Sequence, residues 1–232
     1  MLRARDVIRL HMGHFTMPQD SRLPGAVIVV TAFLVRHPSG PILLDTGFVA
    51  GHAKAEELFH PVMRPFDDVL REVSLKPTET RAVANCHLHI DHSGNNFRFA
   101  GVPIFVQRVE RDAASTTLDY SLPDKTIAFP GAHLEVLDDE EAEIAPGVRI
   151  VPTPGHTAGH QSFVVDTQEG RIVIAGQAFS DAAEYARAYY AWTLDRAGSP
   201  HPEYAPWVAR LQELDPWRVT FAHDLSIWQR EA

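Results

Sequence analysis

Cysteine is almost missing from this chain of 232 residues: Cys86 stands alone, so no internal disulfide can form. Long apolar runs are missing as well. None reaches the roughly 18 residues that a membrane-spanning helix needs. Arg3, Arg5, Asp6 and Arg9 interrupt the N-terminal stretch, which argues against a signal-peptide core. Positive charge is scarce: 21 Lys and Arg face 30 Asp and Glu, a formal net charge of −9. An acidic surface disfavours nucleic acid and anionic membranes as partners. A small-molecule ligand and a cytoplasmic location are the expectations left standing.

Apolar residues are plentiful at 45%, enough for a substantial core in a single domain over 1–232. Residues 7–17 read as an edge strand or an approach to a site, and 27–35 as a buried β-branched strand. A turn at 37–41 leads into a returning strand at 42–44, which ends at Asp45-Thr46-Gly47. Helical spacing covers 54–60 and 66–75, closed by Lys76-Pro77. Short strands are expected at 82–84, 102–106, 134–137, 148–151, 162–165, 171–175 and 218–221, with helices over 110–114, 181–190 and 203–214. Residues 115–133 read as irregular, part of a substrate mouth, and the acidic stretch 135–143 as a solvated loop or edge. Two hairpin-rich halves with helices between them predict an α+β fold, a four-layer αββα sandwich.

The densest chemistry lies at 85–95, Asn-Cys-His-Leu-His-Ile-Asp-His-Ser-Gly-Asn. His87 and His89 share a face of an extended segment, so two imidazoles can grip one ion. Asp91 and His92 lie past the bend and can turn toward the same cavity. Imidazole with carboxylate suits zinc, with manganese, iron and cobalt as alternatives. Four candidate ligands exceed what one tetrahedral ion needs beside water, so a second ion is expected. Cys86 falls on the face opposite His87 and reads as a small packed hydrophobe. Further candidates follow apolar strands elsewhere: His156 in a loop stiffened by Pro152, Pro154, Gly155 and Gly159, then Gln177 and His223. Asp45 at a strand end is placed to orient a metal histidine or simply to make a turn. The aromatic residues Tyr185, Tyr189, Tyr190 and Trp192 suggest either a homodimer face or core packing.

The pattern His87-x-His89-x-Asp91-His92, followed by Thr-Pro-Gly-His156-Thr-x-Gly-His160, Gly176 and His223, resembles the metallo-β-lactamase superfamily over nearly the whole chain. Asp45-Thr46-Gly47, the Gln107 and Glu110 region, and His223-Asp224 look most similar to the N-acyl homoserine lactonases. The resemblance implies that His87, His89 and His156 hold a first divalent ion, and Asp91, His92 and His223 a second. It also implies metal-assisted opening of a lactone ring, with Asp91 accepting a proton and delivering it to the leaving alkoxide. His160 and Asp224 are then supporting residues. The family's bridging aspartate is replaced here by Gln177, a neutral group that should weaken the second site. Its usual tyrosine, three residues on, is replaced by Ser180, with Tyr185 or Tyr189 as substitutes. Met12, Phe15, Phe48 and Phe179, with Met63 and Phe66, are the expected pocket residues, Ser180 beside them. Competing readings are a thioester or other ester hydrolase of the same fold, a one-metal iron dioxygenase, and a non-catalytic scaffold with a decayed site.

Overall fold

The computed structural model describes residues 1–116 and 122–230. The first half of the chain builds one sheet. β1 (Val7–Thr16), β2 (Val27–Val35) and β3 (Ile42–Leu44) pair antiparallel. α1 (Ala53–Phe59) precedes the two-residue β4 (Val62–Met63), which pairs with β1, and α2 (Phe66–Glu72) follows. β5 (Ala82–Ala84) then leads through the one-turn α3 (Ile90–Ser93) to β6 (Pro103–Gln107), α4 (Arg108–Thr116), α5 (Pro123–Thr126) and β7 (His133–Leu137). Strand order among the described residues is β4-β1-β2-β3-β5-β6-β7, parallel from β3 onward.

The second half builds the other sheet from β8 (Ala142–Ala145), β9 (Val148–Pro152), β10 (Gln161–Thr167), β11 (Gly170–Ile174), β12 (Pro216–Thr220) and β13 (Ile227–Gln229). α6 (Ala182–Arg196) and α7 (Trp207–Glu213) form the crossover between β11 and β12. The order is β13-β12-β11-β10-β9-β8.

Strand alternation makes the layers. Phe33, Val35, Ile42 and Leu44 face inward from the first sheet and meet Ile150, Phe163, Val165 and Ile174 of the second. The intervening Ala32, Leu34 and Leu43 face outward, in one core with Val69 and Leu70 of α2. Val164 and Val173 face the other way, onto Tyr185 of α6 and Val208 and Leu211 of α7. The result is the αββα sandwich expected from the sequence. Each fully buried apolar side chain contributes about 1.5–3 kcal/mol. Exposed ion pairs such as Lys76–Glu79, 2.9 Å apart, contribute under about 1 kcal/mol each. Packing therefore holds the layers together.

Several details differ from the sequence expectations. β1 is not the edge of its sheet, because β4 covers part of its free side. The acidic stretch does lie at the edges, running from β7 to β8, the outermost strands of the two sheets, and Glu143 of β8 caps the following turn by accepting the Gly147 N–H at 2.9 Å. α6 runs on to Arg196, since no breaker intervenes before Gly198, and Asp181 caps its start by accepting the Glu184 N–H at 2.7 Å. α7 begins only at Trp207, after Pro206. Within 115–133, residues 117–121 lie outside the described residues, and the rest includes the end of α4 and α5. Tyr185 is fully buried against Phe179 and Phe221, which removes it from any dimer face, whereas Tyr190 is exposed. Among the described residues no helix is long and apolar enough to cross a membrane.

Candidate metal centre

β3, β5, β9, β11 and β12 all end on one edge of the sandwich, and each delivers a side chain there. β3 delivers Asp45, whose backbone takes the left-handed conformation with φ of 63°. An aspartate tolerates that region better than most residues. The turn carries its carboxylate under the loop after β5, where it accepts the Cys86 N–H at 2.8 Å. β5 is followed by His87, His89 and then α3, so Asp91 and His92 stand on a helical turn rather than in an extended loop. The loop from Thr153 to His160 carries His156, the end of β11 carries Gly176-Gln177, and the end of β12 carries His223.

Among the described residues, two groups of ligand atoms form without the Cys86 thiol. In the first, Nε2 of His87 lies 3.0 Å from Nδ1 of His89, which lies 3.2 Å from Nε2 of His156. In the second, Nε2 of His92 lies 3.3 Å from Nε2 of His223 and 3.3 Å from Oδ2 of Asp91, with His223 3.5 Å from the same oxygen. In both groups the potential ligand atoms all lie within 4.8 Å of one another. The outer faces of the rings are held by the protein: Nδ1 of His92 by Asp45 at 3.0 Å and Nδ1 of His223 by the Val29 carbonyl at 2.8 Å. This is how metal-binding imidazoles are oriented.

Burial, with His92, His89 and His156 close by, holds His87 well below the ordinary imidazole value. Burial and neighbouring imidazoles push His156 down to about 3. His223 is lowered too, by burial and by His92. Neutral imidazoles keep the lone pairs that a cation requires. Burial opposes charge on His92, but the carboxylates of Asp91 and Asp45 outweigh it and raise its value, favouring a proton that an ion bound there would displace. Burial likewise opposes charge on Asp91, but His92, His223 and His89 hold its carboxyl well below the usual range. Three imidazoles in one group, and two imidazoles with a carboxylate in the other, fit two divalent transition-metal ions.

Other residues brace this arrangement. His160 is buried between Thr153, 2.9 Å from its Nδ1, and the Gln177 N–H, which donates to its Nε2 at 2.9 Å. Both ring nitrogens are thus engaged by the protein, and burial pushes this imidazole down to about 3. Asp224 accepts the Ala182 and Ser226 N–H groups at 2.9 and 2.8 Å, tying the start of α6 to the segment after His223. Cys86 is packed as expected, but not on the face opposite His87. It packs in the middle core, but β5 stops at Ala84, so strand alternation no longer governs it. Its Sγ lies 3.2 Å from Asp45 Oδ2, 3.2 Å from His87 Nδ1 and 3.3 Å from His92 Nδ1. Burial and Asp45 push the thiol up to about 12, so it stays protonated.

A cavity of about 470 Å³ opens beside the ligands. Its wall includes His89, Asp91, His156 and Gln177, with Phe15, Met17, Leu58, Phe59 and Ile90 on the apolar side. Of the expected pocket residues, Phe15 lines it. Phe48 stands behind the wall against Phe15 and Phe59, at centroid distances of 5.7 and 6.0 Å. Met12 is a core residue under Gly47. Met63 packs on the same core, and Phe66 stacks edge-on to Phe99. Phe179 is not a wall residue, because its ring points into the core beneath α6, 5.1 Å from Tyr185. Ser180 is exposed, and its N–H donates to Glu184 at 2.6 Å. Leu58 and Phe59 were missed as wall residues, although the helical spacing of 54–60 was the signal for them.

The family model described as "Metallo-beta-lactamase superfamily" matches residues 25–223. An N-acyl homoserine lactonase of Bacillus thuringiensis is 32% identical over 213 residues, 85% of this chain and 82% of that protein. The N-acyl homoserine lactonase of Bacillus cereus is 29% identical over 212 residues, with the same coverage. Among solved structures, a B. thuringiensis AiiA variant with N-decanoyl-L-homoserine bound at its active site superposes with a TM-score of 0.70 at 25% identity, covering 94% of this chain and 93% of that one. An N-acyl homoserine lactone hydrolase with the product N-hexanoyl-L-homoserine at its catalytic metal centre gives the same figures.

Proposed function

The chain belongs to the metallo-beta-lactamase superfamily, and we propose that within it this protein is a metal-dependent hydrolase that opens the ester ring of lactones, with N-acyl homoserine lactones as the substrate class. The observation that carries the reading is the shared cavity: His89, Asp91 and His156 stand on one side and an apolar wall on the other. A polar reacting end and an aliphatic tail are what such a cavity accommodates. The relatives at up to 32% identity are lactonases, which supports the choice of ester.

His87, His89 and His156 would hold one ion, and Asp91, His92 and His223 the other. Zinc suits this donor mixture, with manganese, iron or cobalt as alternatives. When bound, such ions acidify water and polarise an ester carbonyl. The remaining work falls to the chain. Oδ2 of Asp91 faces His92 and His223, so the proton is carried on its other oxygen. Ionised at neutral pH, this carboxylate takes the proton from the attacking water and passes it to the leaving alkoxide, and its acidity favours the second transfer over the first. Gln177 offers one neutral acceptor where a carboxylate would neutralise two cations, so the second ion is held more weakly. Phe15, Leu58 and Phe59 receive the acyl chain. Each methylene buried there contributes about 0.8 kcal/mol, so long-chain substrates are preferred to short ones.

The test is ion content measured together with hydrolysis of a panel of lactones, thioesters and β-lactams. The expected result is up to two transition ions per chain, lactone opening lost on chelation, and recovery when ions are returned. Faster turnover of a thioester or β-lactam than of any lactone, or an ion-loaded chain inert to every lactone, would overturn the assignment.

A further inference from the structure

Glu110 stands in the first turn of α4, with a side chain that is buried and outside both groups of ligands. Its Oε1 accepts the Leu88 N–H at 2.8 Å, from the peptide between His87 and His89. Its Oε2 accepts the Thr157 hydroxyl at 2.7 Å and the Gly159 N–H at 3.2 Å, from the loop that carries His156. One carboxylate therefore spans the two loops that supply the first group of imidazoles. The approach is close: a Cβ on Gly159 would lie 2.5 Å from both the Cβ and the backbone N of Glu110. Only glycine lets the loop backbone press against α4 there.

We propose that Glu110 is a positioning residue, one that sets the spacing of His89 and His156 and so the affinity of the first ion site. The inference rests on the reading of His87, His89 and His156 as ligands. A carboxylate accepts on both oxygens, and charge-assisted bonds of this kind are the stronger class. With two N–H groups and a hydroxyl aimed at one rigid group, the distance of 3.2 Å between His89 Nδ1 and His156 Nε2 is fixed from behind.

Three full-length chains test it: wild type, Glu110→Gln and Thr157→Val. The glutamine turns an NH2 toward donors that need an acceptor, whereas the valine removes one donor and keeps the shape. In the ion-free chains, the imidazole ¹⁵N resonances of His89 and His156 should move while those of His92 and His223 stay. In a cobalt titration the first ion should bind about 10- to 100-fold more weakly in Glu110→Gln, and less severely so in Thr157→Val. A merely structural role would move all four imidazoles together, and that outcome, or no movement, overturns the inference. Should Glu110→Gln fail to fold, Thr157→Val decides alone. A wild-type chain that takes no cobalt overturns the hydrolase reading and this inference with it. Wild-type binding matched by unchanged binding in the variants overturns this inference only.

Discussion

Oδ2 of Asp45 lies 3.0 Å from Nδ1 of His92, in a pair whose side chains are only 5% and 1% exposed. The carboxylate orients the imidazole and, on the proposed assignment of His92 as a ligand, would raise its electron density toward the ion. Asp45→Asn keeps the shape but loses the charge, and should weaken the second ion about 10- to 100-fold, measured by competition with a chelator. Asparagine tolerates the left-handed backbone at this position, whereas alanine does not. Asp45→Ala should therefore cost a further 1 kcal/mol or so in denaturant unfolding. Equal stability of the two variants would deny the backbone contribution.

Gln177 lines the cavity beside His89, Asp91 and His156. Replacing it by aspartate adds a negative charge and a second strong acceptor where, on the proposed assignment, two cations would repel. Affinity for the second ion and turnover of lactones should both rise. If neither changes, the neutral side chain is not what limits the site.

Gly176 has φ of 59°, and a Cβ there would sit 2.7 Å from Cys86 Cβ and 2.8 Å from His160 Nε2. Gly176→Ala combines a disfavoured backbone with overpacking in a rigid site, so a loss of about 2 kcal/mol or more is expected. Chemical denaturation reads it directly. A fully stable variant would mean that the loop relaxes without cost.

Tyr185 is buried, and burial raises its phenol above the ordinary value, although the bond from Gln212 works the other way. Unfolded, the group ionises near pH 10. A raised folded value means that its contribution is fully present below that pH and is lost as pH rises toward the folded value. Stability measured from pH 8 upward should thus fall beyond about pH 10, and Tyr185→Phe should lack that part of the slope. Parallel curves for the two chains would contradict it.

Much of this was legible in the residues. The strand ends at Asp45, His87, His156, Gln177 and His223 were marked by apolar runs, and their common edge follows from the parallel connections β3 to β5 and β11 to β12. What escaped depends on three-dimensional contact. Phe179 has the composition of a wall residue, yet a single turn sends its ring under α6. Cys86 is packed in the middle core as expected, but the end of β5 turns its sulfur toward Asp45, His87 and His92 rather than away from His87. Glu110 sits far from either loop in sequence, and nothing local announces that its carboxylate joins them.

The division of the chain into two sheets has a mechanical side. On the proposed assignment, each ion draws ligands from both halves: His87 and His89 with His156, and Asp91 and His92 with His223. A chain without disulfides thereby acquires two reversible rivets between its faces. With free ion at a hundred times the dissociation constant, each would add about 2.7 kcal/mol to the folded state. Metal starvation would then slacken the whole body as well as silence the chemistry.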